Sequence, residues 1–436
     1  MPALPGEDGR EAGGEVSLDR STRPRRRVGL YLVGALGDVA TTVAVGLAAL
    51  ARGRAEPVGL VTELPELGGA EALDLARFDE IVLGGCDVRD GAPIESAHAL
   101  AREARLFPSE LVELARPDLE AFGAALGRGY LTAPAPSVEA LSRGSPRAAR
   151  LPPADAVLAF REDLRAFRAA RALDALVVVH LASTEAFDPA VFSLARPDDL
   201  DALAARGPTS LLPASVCYAW GAILEGAPFV NFTPSPGSSV PALVALADAR
   251  GVPHMGRDGK TGETLLKTVL GPMFRARAFR VLSWTGFNIL GNRDGLVLDD
   301  PDVKRAKLET KGSVLRSILG DRLGTDLVRI EYVPSISDWK TAWDFVHFEG
   351  FLGGKMSLEL TWRGSDSLLA APLAIDLARL VERAARAGLR GLQRGLACFF
   401  KQPAGVEEHA FAAQFEMLKS YAATLRAAPR PEPART

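Results

Sequence analysis

Short apolar runs alternate with longer amphipathic stretches up to about residue 255. Val28–Val33 is almost uniformly apolar and predicts a buried strand, Gly34-Ala-Leu-Gly37-Asp38 a turn, and Val39–Arg52 a helix. Val58–Thr62 and Ile81–Leu83 predict two more strands, the second ending at Gly84-Gly85. Ala99–Ala125 reads as helix, interrupted at Pro108 and Pro117. Residues 131–155 collect Pro, Ser, Arg and Gly, as a loop or insertion does. Leu164–Leu173 predicts a helix, the valine run in Ala175–Leu181 a buried strand, Ser215–Leu224 a helix, Phe229–Phe232 a strand and Val240–Arg250 a helix, with a further strand reaching His254.

This alternation predicts an α/β fold, a Rossmann-like doubly wound parallel sheet. The pattern changes after about residue 280. Strand-like runs at Phe279–Trp284, Leu327–Tyr332 and Lys355–Trp362, with one helix over 301–319, predict a second, α+β domain. Leu368–Arg386 returns to helical periodicity and is expected to pack back on the first domain. The expected organisation is a tail over 1–27, a dinucleotide-binding domain over 28–265, the second domain over 266–365, a returning segment over 366–426 and a tail over 427–436.

Composition narrows the class. Apolar residues make up 47% and charged residues 24%, with a formal net charge of −3. A general nucleic-acid binder carries a basic excess, so that class is disfavoured. Three well-separated cysteines and five histidines show no metal-ligand spacing, so no metal is expected, and the cysteine usage fits a cytoplasmic protein. Arg25, Arg26 and Arg27 before the apolar run to Leu50 imitate a leader or membrane helix, but Asp38, Gly34 and Gly37 interrupt that run.

Two stretches carry candidate chemistry. Gly34 and Gly37 lie between a strand and a helix, where glycine permits a tight turn and the helix N-terminus offers N–H groups to a pyrophosphate; a plain turn is the alternative. Glu63 and Asp87 are candidates for a ribose, with an exposed loop acid the favoured reading of Glu63. The second stretch concerns lysine. Of 51 basic residues only nine are lysine, and none precedes Lys260. Asp299-Asp300-Pro301-Asp302 is a strong helix start and Gly320 a stop. At the helical period Lys304, Lys307 and Lys311 fall within about 60° of one another, on the face that carries Val303, Leu308, Val314, Leu315 and Ile318. Ammonium groups on an apolar face need an anion, from a ligand or from distant acids, unless they snorkel to the edge.

Several ordered motifs complete the reading: Gly84-Gly-Cys-Asp87, Ala182-Ser-Thr-Glu185, Asp258-Gly-Lys-Thr-Gly262, Asn288-Ile-Leu-Gly-Asn-Arg-Asp-Gly295, Arg305-Ala-Lys-Leu-Glu-Thr-Lys311, Ser337-Asp-Trp-Lys340 and Ser365-Asp-Ser-Leu-Leu-Ala-Ala-Pro-Leu373. Ser337–Lys340 and Gly364–Ser367 read by themselves as surface loops. As an ordered set from about 28 to 405, the motifs resemble the inositol-phosphate synthase family. That family isomerises glucose 6-phosphate to 1L-myo-inositol 1-phosphate.

The resemblance implies NAD as cofactor, a homotetramer built through the second domain, and a sequence of internal oxidation at carbon 5, enolisation, intramolecular aldol closure and reduction. It implies Lys307 as the proton-transfer lysine, Lys311, Lys340 and Lys401 as phosphate and oxyanion lysines, and Asp294, Asp258 and Asp366 as acids near nicotinamide and substrate. Gly34, Gly37, Asp38, Val39, Asp87, Ala182, Thr184, Asp258, Thr261 and Asn292 are the implied NAD contacts. Arg293 stands where many members have Asn, and Lys401 lies in Phe-Phe-Lys-Gln-Pro, a loose match to the family's Lys-Ala-Pro. The alternatives are an NAD-dependent dehydrogenase or cyclase for another sugar phosphate, and a non-catalytic NAD-binding protein.

Overall fold

The computed structural model describes residues 25–132, 136–205, 212–291 and 314–429. Seven strands form the first sheet: β1 (Val28–Val33), β2 (Ile81–Asp87), β3 (Leu126–Leu131), β4 (Ala148–Arg150), β5 (Ala175–His180), β6 (Phe229–Asn231) and β7 (His254–Gly256). They are parallel throughout, in the order β4-β3-β2-β1-β5-β6-β7. Parallel strands need crossovers that cover both faces, so both side-chain sets of a strand must be apolar. Leu30, Leu32, Val177 and Val179 enter one core, whereas Tyr31, Val33, Leu176 and Val178 enter the other. The unbroken apolar runs of β1 and β5 are the signature of this two-sided burial.

Helix α1 (Asp38–Ala51) covers one face, with α2 (Ser109–Gly123) beside it. Helices α3 (Pro153–Ala170), α4 (Ala214–Leu224) and α5 (Pro241–Arg250) cover the other. The expected Ala99–Ala125 helix divides into Pro93–Ala99, a π-helical turn at Leu100–Ala104, and α2, which starts after Pro108 and tolerates Pro117. Residues 131–155 also contain a helix, Pro136–Ser142, and the edge strand β4.

Two expectations about strands are corrected. Gly84 and Gly85 do not end β2; they lie within it. A Cβ on Gly84 would stand 2.4 Å from the Phe167 ring, and one on Gly85 would stand 2.3 Å from the Leu32 carbonyl oxygen. Close packing, not a turn, calls for glycine there. Val58–Thr62 is not a strand. Its end is a 3₁₀ turn, Val61–Glu63, whose Val61 and Thr62 N–H groups donate to Asp376 at 2.5 and 3.3 Å rather than to a neighbouring strand.

The three arginines before β1 are pinned individually: Arg25 to Asp79, Arg26 to Glu80 and Glu382, and the Arg27 N–H to Asp174. Among the described residues no helix is long and apolar enough to cross a membrane.

Helix α6 (Glu263–Ala276) leads to the second sheet, made of β8 (Arg280–Leu290), β9 (Leu323–Tyr332), β10 (Trp339–Glu349) and β11 (Lys355–Ser365). Its order is β11-β10-β8-β9, with β9 parallel to β8 and β10 antiparallel to β8 and β11. Ser337–Lys340 is thus not a free loop, because Trp339 and Lys340 open β10. Similarly, Gly364 and Ser365 close β11. The inner face packs Trp284 and Val346 against Phe274 and against Val314, Leu315 and Ile318 of the helical residues 314–319. Those three belong to the predicted apolar face of the lysine-bearing helix. Its lysines, Lys304, Lys307 and Lys311, lie outside the described residues.

Helix α7 (Asp366–Arg386) then returns to the first domain, burying Ala371, Ala374, Ile375 and Leu377 against α1 and the sheet, and α8 (Phe411–Ala427) adds Leu418, Ala422 and Leu425. The C-terminal segment is therefore part of the core beneath β1 and β5. Ile375→Ala is expected to cost about 2–5 kcal/mol of stability, measured by denaturant unfolding followed through secondary structure.

Candidate active site

The sheet reverses its direction of winding between β1 and β5, and a cleft opens there at the carboxyl ends of the strands. Gly34 forms one lip. Its φ of +87° is a left-handed conformation, and a Cβ would lie 2.7 Å from the Ala182 Cα. Only glycine allows the two strand-end loops to approach this closely. Gly37 precedes α1 with no side-chain cap, and Gly37, Asp38 and Val39 line the cleft at the start of the helix.

Asp87, at the end of β2, accepts the Leu36 N–H and the Arg89 N–H, each at 2.8 Å. It braces the glycine loop and also lines the cleft. Glu63 has a different role from the ribose candidate: it pairs with Arg379 at 2.9 Å and ties the Val61–Glu63 turn to α7. Across the cleft, Ala182 and Thr184 sit on the loop after β5. Thr184 is 1% exposed, and its hydroxyl has no partner among the described residues. Glu185, next in line, caps α4 through the N–H groups of Ala214 and Ser215, which anchors the loop; burial raises its pKa, against the bonds from Ser215 and Ala214. A glycine cradle that a Cβ would fill, an uncapped helix start and an orphaned buried hydroxyl are the groups a dinucleotide pyrophosphate and its ribose require.

The far end of the cleft carries two lysine–aspartate pairs. Asp258 has a φ of 63° and is 4% exposed. The Lys401 Nζ donates to its Oδ1 at 2.7 Å, and the Lys401 N–H donates to its carbonyl at 2.7 Å. The second carboxylate oxygen of Asp258 has no hydrogen-bond partner among the described residues. On the opposite side Lys340, the second residue of β10, stands 3.6 Å from Asp366, the first residue of α7. Beneath them Asp338 accepts hydrogen bonds from the hydroxyls of Ser365 and Ser367. Burial pushes the Asp338 pKa up to about 6; the serine bonds oppose this, and Asp38 and Asp366 reinforce it. Thr261 lines the same wall. Thus Gly34, Gly37, Asp38, Val39, Asp87, Ala182, Thr184, Asp258, Thr261, Lys340, Asp366 and Lys401 converge on one cleft. Lys307, Lys311, Asn292 and Asp294 lie outside the described residues.

Sequence reasoning passed over Asp338 and Glu263. Glu263 lies in the cleft wall and pairs with buried Lys267 at 2.8 Å. The Glu-before-Lys spacing of one helical turn was the available signal. Lys260 turns away from the cleft. It is 3% exposed and donates to the Gln414 side chain at 2.5 Å, and burial lowers its pKa to about 8.

A dinucleotide cradle facing Lys340 of the second sheet and Lys401 of the segment after α7 defines a dinucleotide-binding α/β enzyme with a cleft suited to an anionic substrate. Comparison with known proteins specifies which kind. The chain belongs to the family described as myo-inositol-1-phosphate synthase, whose sequence profile matches residues 28–423. It is 33% identical over 401 residues to inositol-3-phosphate synthase 1 of Bacteroides thetaiotaomicron, covering 88% of this chain and 91% of that protein. The fold matches the crystal structure of inositol-3-phosphate synthase from Caenorhabditis elegans with a TM-score of 0.79 and 25% identity, covering 93% of this chain and 87% of that one. It also matches a myo-inositol-1-phosphate synthase-related protein from Thermotoga maritima, with a TM-score of 0.71 and 24% identity over 91% of this chain and 99% of that one. NAD is the cofactor that the family membership assigns to the cleft.

Gly34→Ala is expected to weaken NAD binding by about ten-fold or more, roughly 1.4 kcal/mol, in isothermal titration calorimetry. Unchanged affinity would remove the loop from the cofactor site.

Proposed function

We propose that this chain converts D-glucose 6-phosphate into 1L-myo-inositol 1-phosphate. The observation that carries the reading is the pair of lysines, Lys340 and Lys401, facing the substrate end of a dinucleotide cleft, each held by an aspartate. NAD, when bound, supplies a hydride acceptor that later returns the hydride, so the overall change is an isomerisation. Gly34, Gly37 and the N–H groups at Asp38 and Val39 bind its pyrophosphate, Asp87 its adenosine ribose, and Ala182, Thr184, Thr261 and Asn292 complete the contacts.

A phosphate, an enolate and an aldol alkoxide are all anions, and lysines stabilise each where charge develops. Lys340 and Lys401 take the phosphate and oxyanion positions together with Lys311. Lys307 moves the proton beside carbon 5, and Asp294 is an acid near the nicotinamide and substrate. Asp366 and Asp258 hold their lysine partners in place until the substrate anion arrives. The polar partners are already in place, so little reorganisation accompanies binding.

We also propose a homotetramer assembled through the outer face of the second sheet. Trp343 is paired across the ladder with Phe287 there, and Leu327 lies on the neighbouring strand, each between 37% and 42% exposed. An apolar face of this kind favours a protein partner over water. Three free, buried cysteines support a cytoplasmic setting.

Purified protein given glucose 6-phosphate and catalytic NAD is expected to form inositol phosphate, followed by phosphorus NMR, with no net NADH. Stoichiometric NADH, or turnover of a different sugar phosphate alone, would overturn the assignment. Lys340→Ala and Lys401→Ala should each lower kcat by about 100-fold or more; the melting temperature should hold for Lys340→Ala and fall for Lys401→Ala, which strands buried Asp258. Light scattering should give four times the chain mass, and Trp343→Asp should lower it.

A further inference from the structure

Glu263 is 3% exposed and sits in the first turn of α6, next to the cleft residue Thr261. Its Oε1 lies 2.8 Å from the Nζ of Lys267, which is 1% exposed. Its Oε2 accepts a hydrogen bond from the Asn288 side-chain amide at 2.7 Å, on the inner face of β8. Asn288 is fully buried. The strand is built to admit this contact. Gly286, the preceding inward position, has no side chain, and a Cβ there would stand 2.5 Å from the Glu263 Oε1 and 3.3 Å from the Asp344 Oδ1. Asp344 in turn accepts the Trp284 indole N–H at 2.7 Å. Burial opposes the Lys267 ammonium, but Glu263, Asp344 and Asp326 outweigh it and keep the group charged.

The position of this cluster gives it a consequence for the cleft. Glu263 lies five residues beyond Asp258, on the segment whose loop is tied to Lys401. Asn288 lies two residues before Leu290, which is the ladder partner of Lys340. The Glu263–Asn288 hydrogen bond therefore links the body that carries one lysine–aspartate pair to the strand pair that carries the other. A buried hydrogen bond to a charged acceptor is directional and resists displacement by water. It is suited to holding a distance between two groups that must meet opposite ends of one substrate.

We propose that Glu263 is a positioning residue that sets the spacing between the Lys401–Asp258 and Lys340–Asp366 pairs, and through it the length of sugar phosphate that the cleft accepts. The inference rests on the sugar-phosphate reading above. In it Lys267 neutralises Glu263 so that the carboxylate can be buried, and the hydrogen bond to Asn288 does the positioning.

Two double variants separate these roles. E263Q/K267M removes both charges and keeps an acceptor for Asn288; E263L/K267M removes the acceptor too. Both are expected to fold, E263L/K267M with the lower melting temperature because the Asn288 amide is stranded, and to bind NAD with native affinity by calorimetry. E263Q/K267M should restore the KM for glucose 6-phosphate to within about three-fold of native, whereas E263L/K267M should raise it by about ten-fold or more, the loss expected when a buried amide is stranded. Equal KM values in the two folded doubles would overturn the proposal. If Leu at 263 prevents folding, Asn288→Ala removes the donor and leaves the ion pair; it should show the same rise in KM, and a native KM would overturn the proposal. Native turnover of glucose 6-phosphate is the control for the function itself. Were it absent, the doubles are compared by calorimetric binding of inorganic phosphate to the NAD-loaded protein, where equal affinity overturns the positioning role alone.

Discussion

A parallel sheet that is apolar on both faces must be covered on both faces, and the rest of this molecule follows from how that requirement is met. The helices between successive strands cover one face fully and the other only in part. Helix α7, from beyond the second sheet, completes the cover with Ala371, Ala374, Ile375 and Leu377. Because α7 must dock there, its first residue, Asp366, arrives at the mouth of the cleft, and the chain beyond it carries Lys401 to Asp258. Burial of apolar surface thus does the coarse positioning of the polar groups.

Fine positioning is electrostatic. Five cations in or at the edge of the interior meet an acid at hydrogen-bonding or ion-pair distance: Lys401 with Asp258, Lys340 with Asp366, Lys267 with Glu263, Arg379 with Glu63 and Arg386 with Asp74. Such pairs add little net stability, because desolvation offsets attraction, but breaking one leaves a costly unpaired charge. Their contribution is to define geometry. In the cleft the same pairing holds Lys340 and Lys401 in place. Lys260, bonded to Gln414 instead, shows the contrasting structural use of a buried lysine.

The lysine count takes on a different sense in this setting. Arginine serves the surface and the long-range ties, as Arg25, Arg26 and Arg27 do between β1 and its surroundings. The described lysines that reach the interior are Lys260 and Lys267, and those that reach the cleft are Lys340 and Lys401. A compact ammonium on a flexible stem fits a narrow pocket, or moves between partners, where a planar guanidinium does not.

The strand–helix alternation, the glycine turn after β1 and the second unit after residue 280 were legible because each depends on local sequence: an apolar run, a positive φ, a change of period. Asp87 is a ribose candidate from its place after Gly84-Gly85, whereas placing Asp258 among the candidates rests on the resemblance of short motifs. What the sequence left open depends on contacts between distant segments. Val58–Thr62 has the composition of a strand, yet Asp376, more than 300 residues away in the chain, takes its N–H groups. Gly84 and Gly85 look like a turn, yet they are demanded by Phe167 and by β1 across the ladder. Glu63 has the position of a ribose ligand, yet Arg379 claims it. Local propensity and period thus determined, from the sequence alone, which segments become helices and strands. Only the tertiary structure decided which acid meets which base, because an ion pair or a buried hydrogen bond is chosen by what lies nearby once the apolar faces have closed.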